Sequence, residues 1–160
     1  MDKLYLVVPC YNEEEVLPET ARRLAAKFDN LIANGKISPE SKVVFVDDGS
    51  KDRTWEIIEG LNGSLSLFQG IKLSRNKGHQ NALLAGLMSV KDECDMTISM
   101  DADLQDDINA IDKMIEKYYD GCDVVYGVRA DRKTDSTFKR TTAHGFYKVM
   151  KVLGADVVYN

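Results

Sequence analysis

A short segment, Asp-Ala-Asp-Leu-Gln at residues 101–105, carries residue types that bind a divalent cation, and we call it the acidic segment. Carboxylate and amide oxygens are hard ligands, and Mg²⁺ is usually held by one or two carboxylates together with the phosphates of a substrate. If the segment leaves a strand in extended form, alternate residues point to one side and can share one ion. The sequence therefore predicts a Mg²⁺ or Mn²⁺ site at Asp101, Asp103 and Gln105.

A calcium-binding EF-hand loop is the main alternative, because the three oxygen-bearing residues of the acidic segment would fall at loop positions 1, 3 and 5. The sixth position would then be Asp106, where the sharp turn of an EF-hand requires glycine. The twelfth would be Asp112 instead of a bidentate glutamate, and residues 96–100 have the pattern of a strand instead of a helix. These departures exclude an EF-hand.

A nucleotide ligand fits the remaining polar residues, although the sequence lacks a glycine-rich phosphate loop. Neither Gly-x-Gly-x-x-Gly nor Gly-x₄-Gly-Lys-Ser/Thr occurs, which argues against dinucleotide oxidoreductases and P-loop phosphate hydrolases. The phosphates would then be held mainly by the metal. A base could be recognised by the Asp48 carboxylate, which can accept a hydrogen bond from an imide N–H, and could stack on Tyr11.

The apolar pattern predicts the elements that position these residues. Continuously apolar segments predict buried strands, and each is followed by a stretch with a helical apolar stripe. Strands of this kind, alternating with helices, indicate an α/β domain with a mostly parallel sheet and helices on both faces. The predicted strands are 4–8, 43–46, 67–73, 96–100, 124–126 and a short one at 156–158, and the helical stripes span 17–32, 55–61, 82–90, 108–118 and 146–153.

Polar, ligand-capable sequences follow five of these strands, at residues 9–13, 47–50, 74–79, 101–105 and 127–129. Each of them alone is also a good turn or helix cap. Ligands of open α/β sheets bind at the carboxyl ends of the strands, however, and five successive polar ends are hard to explain as turns alone. We therefore expect them to form one site.

Composition sets the broad class of the protein. The chain has 160 residues, 44% of them apolar, and we expect one domain over residues 1–160 that is soluble, since no apolar run is long enough to cross a bilayer. Cys10, Cys94 and Cys122 are an odd number at wide spacings, and with only His79 and His144 they form neither a disulfide framework nor a zinc pattern. We expect Cys10 to pack in the core and both histidines to lie on helix surfaces.

Charge is unevenly distributed along the chain. The net charge is −5, but residues 129–151 carry +5 and the other 137 residues carry −10. An acidic body disfavours a nucleic-acid partner, while the basic stretch favours an anionic ligand or a membrane surface. On a helix over residues 138–151, Arg140, His144, Lys148 and Lys151 would share one face. This pattern predicts contact with anionic lipid headgroups, and an ordinary surface helix with its basic side in water is the alternative.

Four segments in this order resemble glycosyltransferase family 2: residues 7–15 (VVPCYNEEE), 46–54 (VDDGSKDRT), 76–82 (NKGHQNA) and 101–107 (DADLQDD). Within that family, the acidic segment and residues 127–132 (GVRADR) resemble the polyprenyl-phosphate glycosyltransferases, namely dolichol-phosphate mannose synthases and bactoprenol glucosyltransferases. The resemblance covers essentially the whole chain. It implies a nucleotide-sugar-binding domain of the glycosyltransferase A type.

The resemblance also implies a role for each matching residue. One group would bind the nucleoside, a second the metal and the diphosphate, and a third the phosphate of a lipid acceptor. Asp101, Asp103 and Arg129 would be the catalytic residues. The groups are Pro9, Tyr11, Glu13, Asp48, Lys77 and Gly78 for the nucleotide; Asp101, Asp103 and Gln105 for the metal; and Arg129 and Arg132 for the acceptor phosphate.

The expected activity is inverting transfer of a sugar from a nucleotide-sugar donor to a polyprenyl phosphate, with Mg²⁺ or Mn²⁺ assisting. UDP-glucose is favoured as donor by the resemblance alone. A polysaccharide acceptor is an alternative, and a nucleotide-sugar sensor without turnover is another. The sequence contains no convincing Ser-His-Asp or Cys-His arrangement, so it gives no indication of a covalent mechanism.

The sequence departs from the family pattern at two places. Asp107 stands where the family usually has proline, and relatives continue beyond Asn160 into an acceptor-side segment and membrane helices. We therefore expect the catalytic part of a longer protein that works at the cytoplasmic face of a membrane. Its remaining part would carry the anchor and could mediate homo-oligomers.

Overall fold

The computed structural model describes residues 1–127, in which strands and helices alternate as the apolar pattern predicts. Met1–Val125 form one compact unit. The predicted helix at 146–153 and the strand at 156–158 lie outside the described residues. The elements are β1 (Leu4–Cys10), α1 (Leu17–Ala33), β2 (Lys42–Asp47), α2 (Thr54–Ser64), β3 (Phe68–Lys72), α3 (His79–Val90), β4 (Met96–Ser99) and α4 (Ala110–Tyr119).

The four strands form one parallel sheet in the order β3-β2-β1-β4, which confirms the predicted parallel arrangement. Leu4 pairs with Met96 in β4, and at the other end of β1 Cys10 pairs with Asp47 in β2. The chain thus adds strands on one side of β1 and later returns to its other side. The sheet has a topological switch point between β1 and β4, where ligands of open α/β sheets bind.

Helices cover both faces of this sheet, as predicted. Alternate side chains of β1 and β2 point to opposite faces, and both sets are apolar. Leu6 and Phe45 face a core formed with α1, α2 and α4, whereas Val7 and Val44 face α3. All four side chains are fully buried, and burial of each such side chain contributes about 1.5–3 kcal/mol to stability.

Helix α3 presents Gly86 directly to strands β1 and β2. A Cβ atom on Gly86 would lie 2.5 Å from Val7 Cγ1 and 2.7 Å from Val46 Cγ2. Both distances are too short for carbon atoms, so only glycine fits between helix and strands. Gly86 and the buried Ala82 thus let this helix pack closely on the sheet.

The predicted strand at 124–126 is wrong. The backbone there is not part of the sheet, and Val124 is 67% exposed. Three apolar residues give little burial, and no strand within residues 1–127 pairs with them. None of the helices in this part of the chain is both long enough and apolar enough to cross a membrane.

Candidate functional site

A cavity of about 290 Å³, which we call the site cavity, lies at the carboxyl ends of β1, β2 and β4. Its walls come from four segments that are distant in sequence, and it lies at the switch point between β1 and β4. Four of the five predicted strand ends therefore converge as expected from the parallel sheet, and the fifth, at 127–129, lies mostly outside the described residues. The lining residues are Pro9, Cys10, Tyr11, Glu13, Asp48, Asn76, Gly78, His79, Ala82, Asp101, Ala102 and Asp103.

The site cavity gathers most of the residues predicted for nucleotide and metal. Lys77 and Gln105 do not line it: both side chains are exposed, although the backbone of each takes part in the hydrogen bonds described below. Arg129 and Arg132, predicted for the acceptor phosphate, lie outside the described residues. The predicted residues that do line it are Pro9, Tyr11, Glu13, Asp48, Gly78, Asp101 and Asp103.

Asp48 holds the loop between β3 and α3. Its carboxylate is buried, and one oxygen accepts a hydrogen bond from the Lys77 N–H at 2.7 Å while the other accepts from the Gly78 N–H at 2.8 Å. Gly78 has a φ of +87° and directly precedes α3, so the helix begins at the cavity wall. Asp48 therefore determines where α3 starts. This role was not predicted from the sequence.

Gly49 allows the same loop to cross the end of β2. Its φ is +68°, in the left-handed region that favours glycine. A Cβ atom at this position would lie 2.6 Å from the carbonyl carbon of Arg75 and 2.7 Å from the backbone nitrogen of Asn76. Because the neighbouring atoms belong to the backbone of Arg75 and Asn76, no side-chain movement could make room for a Cβ atom.

The β1–α1 loop is bound to the β2–α2 loop by hydrogen bonds. The Asn12 N–H donates to Ser50 Oγ at 3.0 Å, and Asn12 Oδ1 accepts from the Lys51 N–H at 2.9 Å. The Glu13 N–H donates to Thr54 Oγ1 at 2.8 Å. These bonds hold the β1–α1 loop at the cavity wall. Glu13 and Tyr11, which flank Asn12 in this loop, both line the cavity, and Tyr11 is 38% exposed.

The acidic segment places two carboxylates on the cavity. Asp101 and Asp103, which we call the acidic pair, are exposed and line it, whereas Ala102 between them is buried. Asp103 Oδ1 accepts the Gln105 N–H at 3.0 Å, which closes a local turn. Gln105 thus contributes its backbone to the segment, and its predicted part as a metal ligand stays a prediction.

Negative charge accumulates at this end of the cavity. The pKa of Glu13 is raised by burial in the first place, and then by the carboxylates of Asp103, Asp52 and Asp101. A cation bound there would relieve this repulsion, and carboxylate oxygens suit Mg²⁺ or Mn²⁺. Within residues 1–127 no three His, Cys, Asp or Glu side chains could hold a metal by themselves. The acidic pair therefore fits an ion whose coordination is completed by substrate phosphates.

His79 is exposed on the surface of α3, as the sequence predicts, and it also lines the cavity. It is the first residue of α3, and its Nε2 lies 3.6 Å from Asp101 Oδ1. Its place inside the polar segment 74–79 was a signal that could have identified it. Cys10 also borders the cavity, but it is buried, and burial followed by the nearby charges of Glu13 and Asp47 raises the pKa of its thiol. Cys10 therefore packs, as expected.

Comparison with known proteins identifies relatives over nearly the whole chain. The family model for glycosyl transferase family 2 matches residues 5–158. The uncharacterized glycosyltransferase YkoT of Bacillus subtilis (strain 168) is 54% identical over 157 residues, which is 98% of this chain and 47% of YkoT. The bactoprenol glucosyl transferase of Shigella phage SfX is 42% identical over 147 residues, covering 92% of this chain and 46% of that protein.

Among solved structures, Staphylococcus aureus TarS (residues 1–349) in complex with UDP-GlcNAc matches with a TM-score of 0.55 and 25% identity. The match covers 86% of this chain and 38% of that one. This likeness confirms the predicted glycosyltransferase A type of fold. The chain spans about half the length of the curated relatives it matches.

Proposed function

Because the chain belongs to glycosyltransferase family 2, we propose that it transfers a sugar from a nucleotide-sugar donor to the phosphate of a polyprenyl lipid. The observation that carries this proposal is the site cavity, where nucleoside-side residues such as Asp48 meet the acidic pair at the sheet's switch point. The lipid acceptor is supported by the 42% identity with a protein named bactoprenol glucosyl transferase.

A uridine diphosphate sugar is the proposed donor, with glucose as the sugar. The TarS structure with UDP-GlcNAc shows that a domain of this fold, 25% identical to this one, binds such a molecule. The relatives named glucosyl transferases support glucose. In this chain the base would stack on Tyr11, and its imide N–H would approach Asp48, whose oxygens still have lone pairs beyond those used by Lys77 and Gly78.

The acidic pair would hold Mg²⁺ or Mn²⁺ together with the diphosphate of the donor. When bound, such an ion stabilises the negative charge that develops on the leaving diphosphate. Asp101 and Asp103 supply only two carboxylates, so phosphate oxygens and water would provide the remaining ligands of such an ion. Glu13 adds negative charge beside them and strengthens the attraction of the cavity for a cation.

The proposed reaction inverts the anomeric carbon. An oxygen of the acceptor phosphate attacks that carbon in line, and the bond to the diphosphate breaks, its electron pair leaving with the diphosphate oxygen. A phosphate monoester is already anionic at pH 7, so the attack requires no strong general base. The role of the cavity is therefore to orient the donor and to stabilise the leaving group.

The acceptor side of the proposal concerns residues outside the described part of the chain. Arg129 and Arg132 would contact the lipid phosphate, and the basic face within residues 138–151 would lie against anionic headgroups of the membrane. Co-sedimentation with liposomes should rise with anionic lipid and fall with salt, because the attraction is electrostatic. Replacing Arg140, Lys148 and Lys151 by Gln should weaken it, and salt-independent binding would contradict the proposal.

Calorimetric titration with UDP tests the donor and metal sites together. We expect UDP to bind in the presence of Mn²⁺ and to bind much more weakly with EDTA or after Asp103→Asn. Asp92→Asn is the matched control, because Asp92 is an exposed acid in the loop before β4, at the end of the sheet opposite to the cavity. Equal affinity in all four titrations would contradict the metal site.

Incubation of the full-length protein with UDP-glucose and undecaprenyl phosphate tests the acceptor. A glycolipid product is expected. Transfer only to a glycan would favour the polysaccharide alternative, and UDP-glucose binding without any product would favour a nucleotide-sugar sensor. The three outcomes are distinct, so one assay separates them.

A further inference from the structure

A buried hydrogen bond joins helix α1 to the acidic segment. Thr20 Oγ1 donates to the Ala102 carbonyl at 2.7 Å, and the two residues are 2% and 3% exposed. The same hydroxyl lies 3.2 Å from the Val16 carbonyl, which already accepts the Thr20 N–H at 3.1 Å. A hydroxyl has one hydrogen, and the shorter contact is the one to Ala102. The side chain of Thr20 is thus directed to the segment and not to its own helix.

Ala102 is the residue through which Thr20 reaches the acidic pair. It lies between Asp101 and Asp103, and it is buried whereas those two residues are exposed. Because the peptide bond is planar, fixing the Ala102 carbonyl also fixes the plane that leads into Asp103. The hydroxyl of Thr20 therefore acts on the direction of the carboxylates without lining the cavity itself.

The acidic segment needs such support because its backbone is strained. Leu104 has a φ of +59°, a conformation that a branched side chain rarely adopts. The ladder between β1 and β4 ends with the Met100 N–H, which donates to the Val7 carbonyl at 3.2 Å. Beyond it, the local turn between Asp103 and Gln105 holds the segment from within, and Thr20 holds it from the body of the domain. Strained residues persist where their surroundings hold them in place.

We infer that Thr20 is a positioning residue for the donor site: its hydroxyl holds the acidic pair in the orientation that binds the cation and the diphosphate. The inference rests on the proposed function. Partners that orient metal ligands contribute about 10- to 100-fold to metal affinity or activity. Loss of the hydroxyl should therefore reduce the cation-dependent part of UDP binding by a factor in this range, while the nucleoside contacts at Tyr11 and Asp48 stay.

Three variants separate this role from general stability. Thr20→Val keeps the shape but removes the hydroxyl, and Thr20→Ser keeps the hydroxyl. Ser41→Ala is the matched control, because the buried Ser41 Oγ accepts the Leu4 N–H at 3.0 Å at the opposite end of the sheet. It removes a buried hydroxyl between two elements without touching the acidic segment.

UDP titration by calorimetry, with Mn²⁺ and with EDTA, gives the first measurement. We expect Thr20→Val to weaken UDP binding in Mn²⁺ by about tenfold or more and to leave binding in EDTA unchanged. Thr20→Ser and Ser41→Ala should bind like the unaltered chain. Wild-type affinity in Thr20→Val, or an equal loss in Ser41→Ala, would overturn the inference.

Amide hydrogen exchange in the metal-free protein gives a second measurement that needs no ligand. The amides of residues 103–105 should exchange faster in Thr20→Val than in Thr20→Ser, because the segment loses its external support. If the unaltered chain binds no UDP in Mn²⁺, the proposed function fails, yet exchange still decides whether Thr20 holds the segment. Unchanged exchange would overturn the inference. If Thr20→Val does not fold, Thr20→Cys, an unbranched side chain with a weaker donor, replaces it in both measurements.

Discussion

Asp48 Oδ2 accepts the Gly78 N–H at 2.8 Å, and this bond ties the end of β2 to the start of α3. The other oxygen of the same buried carboxylate accepts from the Lys77 N–H. A residue expected to recognise a base is thus also part of the scaffold that shapes the cavity. Loss of nucleotide binding in an Asp48 variant would therefore combine a lost contact with a displaced loop.

The stability of Asp48→Asn without nucleotide measures the scaffold role of Asp48 separately from its contact with a base. The amide group presents an N–H donor to a backbone N–H, so one buried hydrogen bond is lost without a replacement. We expect the free energy of unfolding, measured in urea without nucleotide, to fall by about 1–3 kcal/mol. The exposed Asp92→Asn should change it little, and equal stability of the two variants would show that the loop does not depend on Asp48.

Gly49→Ala should destabilise the protein more than a glycine-to-alanine change elsewhere. The left-handed backbone alone costs a non-glycine residue about 1–2 kcal/mol, and the contacts with the backbone of Arg75 and Asn76 add to it. Gly60→Ala is the control: it lies within α2, has no atom within 4 Å of an added Cβ, and should stabilise the helix by about 0.5–1 kcal/mol. Thermal or urea unfolding measures the stability of both variants. A Gly49→Ala variant as stable as the unaltered chain would contradict the close approach of the β3–α3 loop to Gly49.

Glu13 should make the stability of the metal-free protein depend on pH. Its pKa is raised in the folded state by burial and then by neighbouring carboxylates, so its stabilising contribution is complete below the ordinary glutamate pKa and is lost as pH rises through the folded value. In EDTA, Glu13→Gln should therefore be more stable than the unaltered chain at pH 7, with the difference vanishing in acid. Glu59→Gln, exposed on α2, serves as control. A difference that does not change with pH would contradict the assignment.

Gly86→Ala tests the close packing of α3. The added methyl group would meet Val7 and Val46, both fully buried and branched at Cβ, so neither can move aside easily. Overpacking of this kind costs about 1–3 kcal/mol, which should exceed the gain in helix propensity. Urea unfolding against Gly60→Ala is the measurement, and an increase in stability would show that the sheet and α3 can separate.

The sequence allowed a good prediction of the alternating elements, because strands buried on both faces are continuously apolar, as in Leu4–Val8 and Val43–Val46. It also indicated the site, since the carboxyl ends of parallel strands meet at one edge. The sequence could not show individual tertiary hydrogen bonds between residues that are distant along the chain. The bonds from Asp48 to the β3–α3 loop and from Thr20 to Ala102 join residues far apart, and neither has a local pattern.

The prediction from a short apolar pattern was wrong at residues 124–126. Val124-Val125-Tyr126 has the composition of a strand, but a strand exists only when a partner supplies its hydrogen bonds, and composition does not contain that information. The helix-surface position predicted for His79 is confirmed, but the pattern does not show the cavity that the fold places beside it.

The strand order β3-β2-β1-β4 also has a kinetic consequence. The pairing of Leu4 with Met96 closes a long loop of chain, and long-range pairing of this kind is slow because loop closure costs entropy before contacts repay it. During synthesis from the amino terminus, β1, β2 and β3 can associate first, while β4 is added last and brings the acidic pair with it. The nucleoside side of the cavity would thus exist earlier in folding than the cation side, and affinity for the complete donor would develop only after β4 has docked.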